Sequence, residues 1–341
     1  MQMFRSINNI IATIANVRLA VVAISLSTLV TLVLGVTGWE DMLRSVPFLC
    51  CYVWMCLILL LVVVRRIMMM ASGGRWRRYW LHDTAFLLNH LGLLVALGFG
   101  TVSSMSIERL HLTAKIGSPE WRATDAASRQ MPPPVIELPL AIELHNFTIE
   151  EYPPKYAIVD NSTGKVVDDS PWAIRQDSIL EYAAMVYGAR DSLGNQDTGR
   201  YVEWHSMGAC TAAHVTATNA STGASGSGWV TCGSFMFPYK ALRLDDSHSV
   251  VMPDREPKRY ASEVTVYTKS GKSVDATIEV NRPLEVEGWK IYQLSYDERL
   301  GRWSDTSVFE LVSDPWLEWV YVGIYMLLAG ALLNFLTTRK R

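Results

Sequence analysis

Apolar residues concentrate in four stretches of the chain that contain no Asp, Glu, Lys or Arg. These stretches cover residues 19–39, 45–64, 84–107 and 319–338. A helix needs roughly 20 predominantly apolar residues to cross about 30 Å of hydrocarbon. Buried helices of a soluble protein are the alternative, but four runs of full bilayer length in an otherwise polar chain favour a membrane location. The pattern therefore predicts four transmembrane helices.

The segment between the third and fourth stretches, residues 108–316, has a different pattern. Residues 136–145 alternate between apolar and polar positions, which is typical of a half-buried strand. Pro139 lies inside this strand and has no backbone N–H to donate, so it predicts an edge strand or a bulge. Two further strand-like runs within residues 264–280 flank a short turn that contains Gly271, which predicts a β-hairpin.

Two other parts of this segment differ in composition. Trp289, Ile291 and Tyr292 begin a further predicted strand, whereas residues 177–192 are the best helix candidate. The segment between His205 and Cys232 is small and polar and predicts a flexible loop. Together the patterns predict a mainly-β, sandwich-like domain with one or two helices.

The positions of basic residues predict the orientation of the helices in the membrane. Lys and Arg are enriched in cytoplasmic loops, and they occur here between the second and third spans and at the C-terminus: Arg65, Arg66, Arg75, Arg77, Arg78, Arg339, Lys340 and Arg341. We therefore expect both termini in the cytoplasm and a bacterial inner-membrane location. The expected division is a membrane region over 1–107, an extracytoplasmic domain over 108–316, and a fourth helix with a basic tail over 317–341.

Overall charge and cysteine content exclude some classes of protein. The 341-residue chain has a net charge of −2, which argues against a nucleic-acid-binding protein. Cys210 and Cys232 can form a disulfide in an oxidising compartment or remain free thiols. With His205 and His214 they have a metal-like composition, but their spacing matches no zinc motif and we expect no metal there.

His90 is the one ionisable side chain that lies well inside a predicted span. At 1.5 Å per residue it lies about 9 Å from the cytoplasmic end of the third span. Such a residue usually faces the helix bundle, a cavity or a ligand. Imidazole is a common axial ligand of haem iron, whereas a hydrogen bond to a neighbouring helix is the alternative. Cysteines in the second span are further possible ligands or simple apolar residues: Cys50, Cys51 and Cys56.

Three small residues on the same helix form a second face. Gly92, Ala96 and Gly100 are spaced four residues apart, a pattern that allows close approach of another helix. At 100° per residue, Gly92 is about 200° around the helix from His90. We therefore expect the small residues to pack within this protein and His90 to face a ligand or a second subunit.

No sequence motif indicates a catalytic residue, but several blocks resemble the ResB/CcsB family of cytochrome c biogenesis proteins. The order of three helices, a large domain and a fourth helix is similar. So are the third-span core at 88–92, the Asn-Arg-Pro-Leu motif at 281–284, the Ser-Asp-Pro-Trp junction at 313–316, and above all the block at 288–297, Gly-Trp-Lys-Ile-Tyr-Gln-Leu-Ser-Tyr-Asp.

The resemblance implies a subunit of a System II cytochrome c synthase, or haem lyase, complex. It implies that the chain holds or moves haem with a ResC/CcsA-type partner and presents it to apocytochrome c, while a thioredoxin-like protein keeps thiols reduced. His90 matches the family's axial haem ligand, and His82 is a weaker candidate. The haem is expected to be transient and shared with the partner. The alternative function is a non-enzymatic, membrane-anchored extracytoplasmic binding or assembly module.

Overall fold

A computed structural model describes residues 17–37, 46–71, 76–128, 130–186 and 200–338. The chain forms two compact units. The first comprises Met1–Glu108 with Ser313–Arg341, and the second comprises Arg109–Val312. The first unit contains the helices and the second contains the strands. The predicted combination of a helical membrane region and a mainly-β domain is therefore confirmed.

Four α-helices are described: α1 (Val17–Thr37), α2 (Val46–Ala71), α3 (Trp76–Ser106) and α4 (Leu317–Thr338). Within the described residues, three segments are long and apolar enough to cross a membrane: Tyr52–Ala71, Trp80–Ser106 and Leu317–Thr337. They overlap the second, third and fourth predicted spans. The first predicted span falls largely on α1, and its crossing of the membrane stays a prediction. The predicted limits at 39 and 45 lie outside the described residues.

Helices α3 and α4 pack at very short range through small residues. A Cβ atom placed on Gly92 would lie 2.8 Å from the carbonyl oxygen of Gly323. One placed on Gly323 would lie 2.6 Å from the amide nitrogen of Ala96. Without side chains, the two backbones can approach directly. The predicted packing role of the stripe is confirmed for Gly92 and Ala96, but a Cβ atom on Gly100 meets no described atom within 4 Å.

Hydrogen bonds and stacked rings connect the helices near the C-terminal end of α3. The hydroxyl of Tyr52 on α2 donates to the carbonyl oxygen of Leu97 on α3 at 2.7 Å. Ser103 at the end of α3 donates to Asp314, which precedes α4, at 2.5 Å. The ring of Phe99 stacks on Trp319 with centroids 5.4 Å apart. Polar contacts of this kind hold helices together in an environment without water.

The second unit contains fifteen described strands and one 3-10 helix, Gly301–Trp303. The strands are β1 (Glu108–Lys115), β2 (Glu120–Asp125), β3 (Val135–Glu151), β4 (Ala157–Asp160), β5 (Trp172–Val186), β6 (Arg200–Glu203), β7 (Cys210–Asn219), β8 (Ser225–Thr231), β9 (Leu242–Arg243), β10 (His248–Val251), β11 (Pro257–Thr268), β12 (Ser273–Glu279), β13 (Leu284–Val286), β14 (Trp289–Tyr296) and β15 (Thr306–Ser313).

The strands form three sheets. The largest has the order β12-β11-β3-β2-β1-β15-β14-β13, and the others are β4-β10-β9 and β6-β5-β7-β8. The large sheet curls so that β12 packs against β14, and its main core comes from its own strands, including the fully buried Leu112, Ile142 and Phe309. The main core therefore lies within one curled sheet rather than between the two facing sheets of a sandwich.

The strand predictions are confirmed in the large sheet, with one correction. β3 contains the alternating segment, β11 and β12 form the predicted hairpin, and Trp289 begins β14. β3 is not an edge strand, since it lies between β11 and β2. Instead, the pairing of β2 with β3 shifts register between Glu120 and Arg122. Pro139 lies opposite that irregularity. The regular hydrogen bonding between β2 and β3 is already interrupted there, so the missing N–H of proline costs no regular hydrogen bond.

Two predictions on the smaller sheets are wrong. The helix expected over 177–192 is largely strand β5, as far as the described residues extend. Its pairing with β7 shifts register twice, and such bulges interrupt the period of two by which a strand is recognised. The flexible loop expected before Cys232 is the β7–β8 hairpin. Its small residues allow close packing, since Ala213 and Ala217 are fully buried.

The α3–α4 contact predicts opposite effects for two glycine substitutions on α3. Gly92→Ala should lower the free energy of unfolding by about 1–3 kcal/mol, because the new methyl group overlaps the backbone of α4. Gly98→Ala is the matched control: no described atom lies within 4 Å of its Cβ position, and alanine favours the helix by up to about 1 kcal/mol. Denaturant titration of the full chain in detergent measures both, and equal effects would contradict the predicted packing.

Candidate functional site

The imidazole of His90 is held by its own helix. Its Nδ1 atom lies 2.8 Å from the carbonyl oxygen of Phe86, one turn earlier on α3. A carbonyl oxygen only accepts hydrogen bonds, so Nδ1 must carry the proton. In the neutral ring, Nε2 then keeps its lone pair. This is the tautomer that a metal ligand needs, with the second nitrogen fixed by a hydrogen bond.

Aromatic stacking fixes the plane of the same ring. The rings of Phe86 and His90 have centroids 3.9 Å apart and planes inclined by 22°. The guanidinium carbon of Arg66, on α2, lies 4.8 Å from the centroid of the Phe86 ring. Phe86 therefore contacts both a cation and the imidazole, and it limits the orientations that His90 can adopt.

A buried ion pair lies beside this stack. Arg66 donates a hydrogen bond to Asp83 of α3, and their side chains are only 15% and 1% exposed. Within the described part of the chain, Arg66 Nε and Asp83 Oδ2 have no hydrogen-bond partner. Removing one member of such a pair leaves a buried charge without compensation, which is strongly destabilising. The pair therefore fixes α2 against α3 close to His90.

His82 is less suited to ligation than His90. Its Nδ1 atom lies 3.4 Å from an amino nitrogen of Arg66. Because arginine only donates hydrogen bonds, this nitrogen of His82 accepts, and the proton of the neutral ring is on Nε2. The nitrogen that projects away from the backbone is then protonated. The geometry therefore favours His90, in the same order as the sequence resemblance.

The residues around His90 fit a haem in their chemistry. An imidazole with a free Nε2 supplies an axial ligand, and Phe86 offers an apolar surface beside it. Among the described residues, no group of three or more His, Cys, Asp or Glu side chains could hold a metal ion. The described residues therefore offer one imidazole that stacks on an aromatic ring, with an ion pair beside it.

Cys210 and Cys232 line one cleft of about 640 Å³ in the second unit. The structure has both as thiols, and Cys210 donates to the carbonyl oxygen of Ala183 at 3.4 Å. Burial raises the pKa of the Cys232 thiol to about 11, and the carboxylate of Asp254 adds to this effect. Burial also raises the pKa of Cys210. These thiols are poor nucleophiles at neutral pH, and a disulfide between them stays a prediction.

The two histidines with metal-like spacing are engaged elsewhere. His205 Nε2 lies 2.8 Å from a carboxylate oxygen of Glu203, and His214 Nδ1 lies 3.1 Å from Asp177. Neither histidine lines the cleft that contains the thiols. The structure therefore separates the four residues that the sequence composition brought together.

A charged cluster at the same cleft could not be read from the sequence. Arg255 and Arg302 both contact the carboxylate of Glu151 and the hydroxyl of Thr211. The side chain of Arg255 is 8% exposed, and it also pairs with Glu181. Glu151 is on β3 and Thr211 is on β7, so the cluster joins the large sheet to the four-stranded sheet. Its members are far apart in the sequence, and no regular interval between them forms a recognisable motif.

The most specific block of the family resemblance, 288–297, has a structural role. Trp289 and Ile291 are buried in the main core, and the buried Gln293 accepts a hydrogen bond from Ser262 at 2.6 Å. Gly288 has a φ of 84° and follows Glu287 with a φ of 46°, so the two residues form a hairpin turn of type I′. The block therefore stabilises the domain.

The raised pKa of Cys232 predicts its alkylation rate. The rate should rise about tenfold per pH unit between pH 8 and pH 10, because the thiolate fraction increases until the pH reaches the pKa. Glutathione, an exposed thiol, should level off earlier. Peptide mass spectrometry of the full chain after timed iodoacetamide treatment measures each cysteine separately. A Cys232 rate that levels off near pH 9 would contradict the buried thiol, and a disulfide would block labelling until a reductant is added.

Comparison with known proteins gives one family match, within the second unit. The model of the ResB-like family matches residues 211–306, from strand β7 to the first residue of β15. No curated protein matches the chain. The matched segment contains the block 288–297, whereas His90 lies outside it. The resemblance to the ResB/CcsB family that the sequence motifs indicated is therefore confirmed: residues 211–306 of this chain are ResB-like.

Proposed function

We propose that this protein is a haem-handling subunit of a System II cytochrome c synthase. The ResB-like match suggests a role in cytochrome c biogenesis, and the three apolar helices fit a membrane protein. The finer proposal is that the chain holds haem within the membrane and helps to present it to apocytochrome c on the outer face. The organism is then a bacterium and the membrane is its inner membrane.

The geometry of His90 is the observation that carries this proposal. A hydrogen bond to Phe86 fixes the proton on Nδ1, and stacking fixes the ring plane. The close-packed face of α3, at Gly92, is occupied by α4, so it leaves no space for a large ligand.

Each residue of this site has a distinct task. Haem supplies the iron and the vinyl groups to which a cytochrome becomes attached. His90 offers Nε2 as one axial ligand, and Phe86 limits rotation of that ring. Asp83 and Arg66 fix the adjoining helix α2. No described residue is placed to act as the thiol reductant, so a thioredoxin-like protein remains the proposed source of reduced apocytochrome thiols.

The partner is proposed to complete the site. Haem iron takes two axial ligands, and the described residues of the first unit offer one well-oriented imidazole. A ResC/CcsA-type membrane protein would supply the second ligand and the remaining surface. Haem bound in this way is shared between the two chains and transient, because it must leave for apocytochrome c.

The second unit is proposed to act as a docking platform. Its cleft is lined by Arg302, Trp303 and two thiols whose raised pKa makes them poor nucleophiles, and the charged cluster lies at the same cleft. These features also favour the second candidate function, an extracytoplasmic assembly module without haem. Under that function, deletion of the protein would leave c-type cytochromes intact.

Removal of the imidazole tests the proposed function. His90→Ala, co-expressed and purified with the partner, should lose haem absorbance by about tenfold or more, because tenfold corresponds to only 1.4 kcal/mol of lost ligation. Imidazole added to the mutant should restore the spectrum, since the free ligand can occupy the vacated position. Absorbance of the purified complex measures both effects.

His82→Ala is the matched control for this experiment. It removes an imidazole from the same helix, yet it should retain most of the haem, because the outward nitrogen of His82 is protonated in the neutral ring. Equal haem content in wild type and His90→Ala would exclude His90 as the ligand. Equal losses in both histidine variants would indicate damage to the helices instead.

A further inference from the structure

We infer that Arg66 binds a carboxylate of the haem, namely one of its propionate groups. This inference rests on the proposed function, in which His90 ligates the iron. It adds a second point of attachment, on helix α2, that recognises the charged edge of the porphyrin. Arg66 is then a positioning residue that selects the orientation of the ring.

The hydrogen-bonding capacity of Arg66 is the first argument. A guanidinium has five N–H donors in a planar fork and accepts no hydrogen bonds. In the described part of the chain, Arg66 donates to Asp83 and contacts His82 at 3.4 Å, but its buried Nε–H has no acceptor. A side chain only 15% exposed rarely leaves such a donor unsatisfied. A carboxylate is the acceptor that the guanidinium fork matches best.

Proximity to His90 is the second argument. Arg66 and His90 both contact the ring of Phe86, at 4.8 Å from the guanidinium carbon and 3.9 Å between ring centroids. The two groups are thus neighbours of the same aromatic ring. A haem has its iron at the centre and both propionates along one edge. A haem held at His90 would bring a carboxylate towards Arg66 when its propionate edge faces α2.

Asp83 moderates this interaction. Its carboxylate already neutralises Arg66, and its side chain is 1% exposed. Asp83 therefore weakens the attraction of Arg66 for a second carboxylate, which suits a ligand that must be released. Asp83→Asn should consequently strengthen the selection of the propionate, the opposite effect to a loss of Arg66. The phosphate of an anionic lipid is the other anion that a guanidinium near the membrane surface can bind.

The experiment compares haem with its dimethyl ester, in which both carboxylates are blocked. The full chain with its partner is placed in nanodiscs of phosphatidylcholine, which has no net charge, and is titrated with each compound while the Soret absorbance is recorded. Wild type should bind haem at least tenfold more tightly than the ester. Arg66→Gln should bind haem and the ester about equally. Asp83→Asn should increase the ratio of the affinity for haem to the affinity for the ester above that of wild type.

Arg65→Gln is the matched control, because it removes the neighbouring cation of the same helix, for which no ion pair occurs among the described residues. It should keep the wild-type ratio. The conservative Arg66→Lys variant retains the charge and should keep part of the preference for haem over the ester. This result would distinguish loss of propionate recognition in Arg66→Gln from misfolding of that variant.

Three outcomes would overturn the inference. Equal binding of haem and ester by wild type would exclude recognition of the propionate. An unchanged ratio in Arg66→Gln would assign that recognition to another residue. A preference for haem over the ester that occurs in phosphatidylcholine and is lost when phosphatidylglycerol is added would indicate that Arg66 binds a lipid phosphate. Wild type that binds haem in any of these cases leaves the proposed function intact, whereas wild type that binds neither compound overturns both.

Discussion

One hydrogen bond, from Nδ1 of His90 to the carbonyl oxygen of Phe86, sets the orientation of the imidazole on which the proposed function depends. The bond is internal to α3, so it needs no other helix and forms wherever the helix does. It selects one tautomer of the imidazole and directs Nε2 away from the backbone. Stacking on Phe86 then fixes the ring plane. The tautomer and the orientation of the imidazole are both set within one helical turn.

The packing of the helices keeps this position available. Gly92 and Gly323 bring α3 and α4 into backbone contact, and this contact uses a face of α3 that is different from that of His90. Helix α2 approaches through Arg66, which pairs with Asp83 and contacts Phe86. The membrane unit thus combines a tight structural contact on one face of α3 with an ion pair on another, in which Arg66 Nε has no acceptor among the described residues.

Local patterns in the sequence were sufficient for much of this structure. Runs without charge located the helices, and spacing around α3 separated Gly92 from His90. Alternation located β3, and Gly271 located the β11–β12 hairpin. β5 was missed because two bulges interrupt its alternation. The charged cluster of Glu151 and Arg302 was missed because it depends on strand pairing across long separations. The tautomer of His90 was also inaccessible, since it depends on a distance between atoms.

The protonation of His90 is the most direct test of its proposed role. The full chain can be labelled with 15N-histidine, placed in nanodiscs without haem, and studied by solid-state NMR, with His90→Gln used to assign the resonance among seven histidines. We predict a neutral ring with a protonated Nδ1 and a bare Nε2. A neutral ring with the proton on Nε2, or a charged imidazolium, would contradict the arrangement on which haem ligation by this chain depends.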